Sequence, residues 1–300
     1  MNKSNKVIVF GGSGFLGSHV ADALTKAGYE VTIFDIVKSE YINKKQKMVV
    51  GDINNFEQVK NTIASAQYVF HFAGLADINE SRLRPYETVK INILGTTNIL
   101  EACKDQNIQR FVFASTIYVY SNLGSFYRSS KQACELLIDN YQEEFGLKYT
   151  ILRYGSLYGS RANNFNFINN AIIQALQKGE IIRKGNGEEI RDYIHVLDAA
   201  KVSVEILKDE FINSHIMIKG TQSTKMKDLL NMMSEMIGEN IKINYTKEVH
   251  YEGHYKLTPY SFRPKVAEKY LLKTYHDLGQ GLLDLIYEIH HELNKINPEK

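Results

Sequence analysis

Short apolar runs separated by amphipathic stretches fill the first half of this 300-residue chain. The runs are KVIVF (6–10), EVTIFD (30–35), KMVVG (47–51), YVFHF (68–72), RFVFAS (110–115) and YTILRY (149–154). They are rich in Val, Ile and Phe and too short for helices, which predicts buried strands. Stretches such as FLGSHVADALTKAG and NILGTTNILEACKDQ carry a helical pattern between them. Such alternation predicts a parallel sheet with helices on both faces, an α/β architecture.

After about residue 155 the rhythm changes. The loop YGSLYGSRANNFN leads into a helix, FINNAIIQALQKG, then a turn, a strand-like RDYIHV and another helix. HIMIKG (215–220) predicts one more sheet strand, and GQGLLDLIYEIHHEL a periodic helix near the end.

VIVFGGSGFLGSHVADAL places Gly11, Gly14 and Gly17 between the first strand and the first helix. The first glycine permits a tight turn, the second a close pyrophosphate, the third helix–sheet packing. The helix N-terminus then offers backbone N–H groups to phosphates. Asp35 ends the second strand, where a carboxylate accepts the ribose hydroxyls of adenosine and repels a 2′-phosphate. NAD is therefore favoured over NADP, although the nearby Lys run is able to serve a 2′-phosphate. The predicted fold is a Rossmann-type doubly wound parallel sheet with a smaller mixed α/β substrate-binding lobe. Residues 1–160 form the NAD-binding domain, with the chain returning to it near 190–220. Residues 161–189 and 221–300 form the lobe.

A hydrophobic content of 44% supports a sizeable core. Net charge is only +2, without the basic stripe of a nucleic-acid footprint. The densest basic run, NKKQK (43–47), reads as a solvated loop. Cys103 and Cys134 sit in helical patterns and offer no disulfide framework, which fits a reducing cytoplasm. The apolar run VIVF near the N-terminus is too short for a signal peptide, and no stretch approaches the about 20 apolar residues of a membrane span. A soluble cytoplasmic protein is expected, with no membrane or nucleic-acid partner and no metal.

The spacing Tyr-x-x-x-Lys occurs three times, at Tyr41–Lys45, Tyr86–Lys90 and Tyr127–Lys131. With 19 Tyr in the chain, about two matches arise by chance, so context decides. Tyr41 lies in the charged loop after strand two, and Tyr86 lacks an upstream hydroxyl pair. Tyr127 alone follows a strand ending in Ser115–Thr116 and begins a helix, on which side chains four apart share a face. Taking hydride from a secondary alcohol requires removing its hydroxyl proton. A Tyr with its ordinary pKa of about 10 is a poor base at neutral pH. A nearby ammonium and a positive nicotinamide favour the phenolate, and bringing it to neutrality takes roughly 4 kcal/mol. A Thr or Ser hydroxyl orients the substrate oxygen.

Taken in order, these motifs resemble the extended short-chain dehydrogenase/reductase family, in its nucleotide-sugar branch typified by UDP-galactose 4-epimerase. The resemblance spans most of the chain. GGSGFLG is similar to the cofactor loop, giving Gly11, Gly14, Phe15 and Leu16 as NAD contacts. GDI (51–53) implies Asp52 and Ile53 at the adenine, and HFAG (71–74) implies Phe72, Ala73 and Gly74. NILGTTNILEAC implies Asn92, RFVFAST implies Ser115, and LRYGSLYG implies Tyr154 on the cofactor and Ser156 on the substrate. YRSSKQACE resembles the catalytic helix. It implies Tyr127 as base, Lys131 as its electrostatic partner and ribose ligand, and Thr116 as the hydroxyl that steadies the sugar. GNGEEIRDYIHVLDAA implies Arg191 on the diphosphate, joined by Arg263 in YSFRPK. The resemblance also implies a homodimer, in which helices near 86–104 and 127–145 pair as a four-helix bundle.

The chain departs from its relatives in three places. Ile117 and Tyr118 stand where 4,6-dehydratases carry an Asp–Glu pair, and Ile does not titrate, so dehydration is disfavoured. Decarboxylating relatives lose ground for the same reason. Ser156 replaces the Asn common in 4-epimerase-like sequences. VYSNLGSF is shorter than the usual connection before the Tyr, which predicts a more open sugar pocket. These departures favour an NAD-dependent 4-dehydrogenase of a nucleotide sugar, with a GDP- or UDP-linked heptose for surface polysaccharide as the expected substrate. A 4-epimerase using transient oxidation is the alternative. A non-catalytic NAD-binding regulator is the third reading, disfavoured because Tyr127, Lys131 and Thr116 are all kept.

Overall fold

Alternate side chains of the first strand, β1 (Lys6–Phe10), enter two different cores. Val7 and Val9 join one with Val20, Leu24, Val112 and Leu152. Ile8 and Phe10 join the other with Phe34, Val69, Phe111 and Ile138. Side chains on a strand alternate between faces, so a run that is apolar throughout must be covered on both. The computed structural model describes residues 5–246, apart from 65, 164, 222, 239 and 240. The helix expected over GQGLLDLIYEIHHEL, Arg263 and the end of the expected lobe lie outside the described residues.

After β1 come α1 (Phe15–Lys26), β2 (Glu30–Asp35), β3 (Lys47–Val50), α2 (Phe56–Ile63) and β4 (Tyr68–His71). Next are α3 (Ile78–Leu83), α4 (Pro85–Thr88), a π-helical turn (Val89–Leu94), α5 (Gly95–Lys104) and β5 (Arg110–Thr116). A 3₁₀ turn (Ile117–Tyr120), α6 (Ser125–Phe145) and β6 (Tyr149–Tyr154) complete the first half. The second half adds β7 (Ser156–Tyr158), α7 (Phe167–Lys178), β8 (Glu180–Lys184), β9 (Ile190–His195) and α8 (Val196–Glu205). Then come β10 (Ser214–Ile218), β11 (Ser223–Lys225), α9 (Met226–Ile237) and β12 (Lys242–Thr246).

Seven parallel strands pair in the order β10–β6–β5–β4–β1–β2–β3. The chain moves outward from β1 through β2 and β3, then restarts on the other side at β4. Strand order reverses between β1 and β4, and open α/β sheets bind ligands at the carboxyl ends beside such a reversal. The run HIMIKG forms β10, hydrogen-bonded along β6 at the sheet edge, as its apolar pattern predicted.

A third, smaller core joins Ile168, Ala171 and Ala175 of α7 to Ile181 of β8 and Leu229, Leu230 and Met233 of α9. Beside it β8 pairs in parallel with β12, while β9 runs parallel to β7 and antiparallel to β11. These elements form a smaller mixed α/β layer. Strand β9, expected to return to the main sheet, pairs instead with β7 and β11, and β8 and β9 bring Arg183 and Arg191 to the cleft.

One expected helix departs from α geometry. Residues 89–94 form a π turn before α5, and the carbonyls of Asn92 and Ile93 accept from the hydroxyls of Thr96 (2.5 Å) and Thr97 (2.9 Å). Such turns widen a helix by one residue and re-aim a side chain, here Asn92. Among the described residues no helix is long and apolar enough to cross a membrane, and no group of three or more His, Cys, Asp or Glu could hold a metal ion.

Candidate active site

The carboxyl ends of β1, β2, β4, β5 and β6 open into a cleft of about 990 Å³, closed on the far side by β9 and α7. Gly11 leaves β1 with φ +78, in the left-handed region that glycine enters at no steric cost. A Cβ there would sit 2.4 Å from the backbone nitrogen of Ala73, so the loop lies directly against the end of β4. A Cβ on Gly17 would lie 2.1 Å from the carbonyl oxygen of Gly11, which gives the third glycine its packing role. Gly14 caps α1 without a side chain, and the first turn carries no acidic residue. First-turn N–H groups have no intrahelical acceptor, so this helix end suits an anionic diphosphate. Asp35 faces the same loop, its carboxylate accepting from the N–H of Ser13 at 2.9 Å and more weakly from that of Val37. A glycine cradle, an uncapped helix end free of acidic side chains and an Asp at the tip of β2 together fit a dinucleotide.

Every site residue expected from the sequence and described in the structure lines this cleft, with one exception. Gly11, Gly14, Phe15, Leu16 and Asp35 stand on one side, with Asp52 and Ile53 beyond them. Phe72, Ala73 and Gly74 form the crevice beside β4, and Ser115, Thr116, Tyr127 and Lys131 the opposite wall. Tyr154, Ser156 and Arg191 close the far end. The exception is Asn92, buried behind the wall: its carboxamide accepts from the N–H of Leu75 (2.7 Å) and donates to the Leu75 carbonyl (3.1 Å) and Ser130 Oγ (2.9 Å). It ties the loop after β4 to α6. The resemblance implies a cofactor contact for Asn92; in the structure its carboxamide stands beside Gly74 of the cleft and bonds Leu75 and Ser130.

The Tyr127 phenol faces the Thr116 hydroxyl. Lys131, one turn further along α6, donates from Nζ to the Ala114 carbonyl at 2.8 Å and lies 4.6 Å over the Phe113 ring. Burial pushes the Tyr127 phenol up to about 12, only partly opposed by Thr116. Burial likewise lowers Lys131 to about 8, against the pull of Cys134 and Glu135. The sequence argument expected Lys131 to bring Tyr127 down; what sets the phenol here is burial, opposed by Thr116 and not by Lys131. The other Tyr–Lys matches fall outside the cleft, since Tyr41 packs beneath the Arg161 guanidinium and Tyr86 is exposed.

Two expected residues spend their hydroxyls elsewhere. Tyr154 bonds Ser203 on α8 at 2.6 Å, and Ser115 donates to Glu135 on α6. Both still line the cleft. The short connection after β5 is not simply a missing wall. Thr116 accepts from the N–H of Tyr118, and the 3₁₀ turn carries the Tyr118 ring into the cleft, 6.4 Å from Tyr127 and edge-on to it. Gly124, at φ +99, passes so close that a Cβ would meet the Tyr118 ring at 2.9 Å. Sequence reasoning also passed over Arg183, which lines the cleft, pairs with Glu189 and rides 4.7 Å over the Phe167 ring. A lone Arg in a short strand carries no signal of its own.

Fold and crevice are those of a dinucleotide-binding α/β enzyme. Residues 7–220 match the NAD dependent epimerase/dehydratase family. A Methanocaldococcus jannaschii protein provisionally named as a UDP-glucose 4-epimerase is 31% identical over 264 residues, 80% of this chain and 85% of that one. The UDP-glucose 4-epimerase of Thermotoga maritima, solved with UDP-glucose, superposes with a TM-score of 0.79 at 26% identity. That match covers 86% of this chain and 90% of the other. The UDP-glucuronic acid 4-epimerase of Bacillus cereus, solved with UDP-glucuronic acid and NAD, gives a TM-score of 0.78 at 26% identity, over 87% and 95%. The chain belongs to the NAD dependent epimerase/dehydratase family of extended short-chain dehydrogenase/reductases, and its cofactor is NAD.

The packing of Gly17 on Gly11 is testable. Gly17→Ala is expected to weaken NAD binding by at least about tenfold, or 1.4 kcal/mol, in isothermal titration. Circular dichroism checks that the variant is folded. Wild-type affinity would show that the loop tolerates the methyl group and that the third glycine is not a packing requirement.

Proposed function

We propose that the protein is a nucleotide-sugar 4-epimerase acting on a UDP-linked hexose. The observation that carries this is the pairing of Tyr127 with Thr116 beside Lys131, across a cleft that has the glycine cradle at one end and Arg191 at the other. Bound NAD supplies the hydride acceptor and donor at C4. The chain's own part is to move a proton and to hold the sugar while its two faces exchange. Tyr127 Oη takes the C4 hydroxyl proton and later returns it, with Thr116 Oγ1 orienting the sugar oxygen. Positive charge on Lys131 favours the phenolate. Arg191 holds the diphosphate by a charge-assisted fork while the sugar turns. Ile117 and Tyr118, next to Thr116, offer no carboxylate for removing a proton at C5, which disfavours dehydration.

The relatives favour the epimerase alternative over the net dehydrogenase expected from Ser156 and the short connection. Support for a heptose weakens further because Tyr118 takes part of the space that the short connection was expected to leave open. Tyr127→Phe is expected to lower kcat at least about a thousandfold while leaving NAD affinity within about twofold. Turnover of UDP-glucose or UDP-galactose followed by NMR gives the rate. A C4 stereoisomer as product supports epimerisation, and a released 4-keto sugar would overturn it.

Lys131 gives a pH prediction. Its ammonium, lowered to about 8, is fully charged below that pH and lost above it. The kcat/KM profile is therefore expected to fall on its alkaline side with a midpoint near 8. Lys131→Met, which is uncharged at every pH, should lack that limb; a limb that persists in this variant belongs to another group.

A homodimer is part of the same reading. Tyr86, Val89 and Leu94 before α5 and Leu136 on α6 are exposed apolar side chains on the two helical segments that would pair. Light scattering is expected to give twice the mass of 34.3 kDa, and Leu136→Glu to shift it towards monomer. A wild-type monomer would refute the pairing.

A further inference from the structure

Tyr127, Lys131 and Glu135 lie one turn apart along α6, and each faces a residue in the last three of β5. Tyr127 meets the Thr116 hydroxyl, Lys131 donates to the Ala114 carbonyl, and Glu135 accepts from the Ser115 hydroxyl. Glu135 is buried, and its carboxylate also takes a two-pronged bond from Arg153 of β6, at 3.0 Å from Nε and 2.6 Å from Nη2. The remaining arm of that guanidinium, Nη1, donates to the Tyr120 hydroxyl at the end of the 3₁₀ turn. Its carbon lies 4.8 Å over the Tyr120 ring. Nη2 also donates to Nδ1 of His215 at 2.7 Å, and His215 Nε2 faces Asp139 at 3.4 Å. One carboxylate thus joins α6, the tip of β5, β6 and the short connection that carries Tyr118.

We propose that Glu135 is a positioning residue for the proton transfer. Its ion pair with Arg153 holds residues 114–116 in register with Tyr127 and Lys131 and, through Tyr120, fixes the turn that sets Tyr118 in the cleft wall. This rests on the assignment of Tyr127 and Lys131 made above. Glu135 stands behind the cleft wall rather than in its lining. Burial opposes its charge, but the paired bonds from Arg153 and the bond from Ser115, with the His215 ring alongside, hold it below the usual carboxylate range. Lys131 is faced by Tyr127, Cys134 and Glu135 along α6, by His71 from β4 and by the Ala114 carbonyl from β5. Burial, aided by Lys131, keeps His71 neutral, and burial keeps Cys134 a thiol, so Glu135 is the anion of that set. Removing its charge leaves Arg153 unopposed nearby and makes the Lys131 ammonium easier to lose.

Glu135→Gln tests this. Loss of a charged hydrogen-bond acceptor is expected to lower kcat about tenfold to a hundredfold and to move the alkaline limb of kcat/KM to lower pH. Tyr120→Phe, which keeps the ring but drops its hydroxyl, is expected to raise KM for the nucleotide sugar about fivefold. A Glu135→Gln enzyme with a lower melting temperature but unchanged kcat and an unmoved limb would reduce Glu135 to a structural residue and overturn the proposal. If Glu135→Gln does not fold, Ser115→Ala and Tyr120→Phe decide. Wild-type kcat and KM in both would overturn the proposal, and a loss in either supports it. Tyr127→Phe is run in parallel. An active Tyr127→Phe enzyme sinks the proton-transfer reading and this one with it. An inactive Tyr127→Phe beside a wild-type-like Glu135→Gln sinks this one alone.

Discussion

A sheet covered on both faces has nowhere to place polar chemistry except along its edges. In this chain the middle strands are apolar on both sides, and the two cores between sheet and helices contain Phe10, Phe70, Phe111, Val112 and Phe113, all fully buried. Unpaired backbone groups and polar side chains are costly in such surroundings. They gather where the strands end: Gly11 after β1, Asp35 at the tip of β2, and Ser115 and Thr116 at the tip of β5. The reversal of strand order between β1 and β4 spreads these tips apart and makes the cleft. The remainder of the active-site region follows from that geometric constraint.

The cost of placing ionisable groups in the cleft wall is visible in their pKa values. Burial drives Tyr127 up to about 12 and Lys131 down to about 8, so at neutral pH the phenol keeps its proton while the ammonium keeps its charge. A bound cofactor carrying positive charge on its nicotinamide ring would shift that balance towards the phenolate. Behind the pair, buried Glu135 and half-buried Arg153 are opposite charges with their hydrogen bonds satisfied. Such a pair is weak as a source of stability, and breaking it by removing one partner is expensive. That asymmetry suits a register device: the arrangement is hard to leave without being a large contributor to folding.

Much of the site was legible because its residues sit at junctions that sequence marks well. A glycine triplet between strand and helix, an Asp ending a strand, and a Tyr four residues before a Lys at a helix start all have local causes. Context separated Tyr127 from Tyr41 and Tyr86, and the structure places the latter two outside the cleft. Other features were not legible. The brace made by Asn92 depends on a π turn, which no residue pattern announces. The short connection looked like an absent wall because length alone does not show where the Tyr118 ring points. Arg153 read as one more residue of a buried strand, although its partner Glu135 stands one helical turn beyond Lys131, a spacing that was visible from the start.

By itself the sequence determined the parallel sheet, the glycine cradle and the Tyr–Lys pair, because each follows from local periodicity or from the conformational freedom of a few adjacent residues. Only the tertiary structure decided which groups face the cleft and which brace it. Ser115, Tyr154 and Asn92 turn their polar atoms inward to partners 20, 49 and 17 or more residues away. Contacts over such separations depend on how helices settle on the sheet. That is a matter of packing, and no local pattern encodes it.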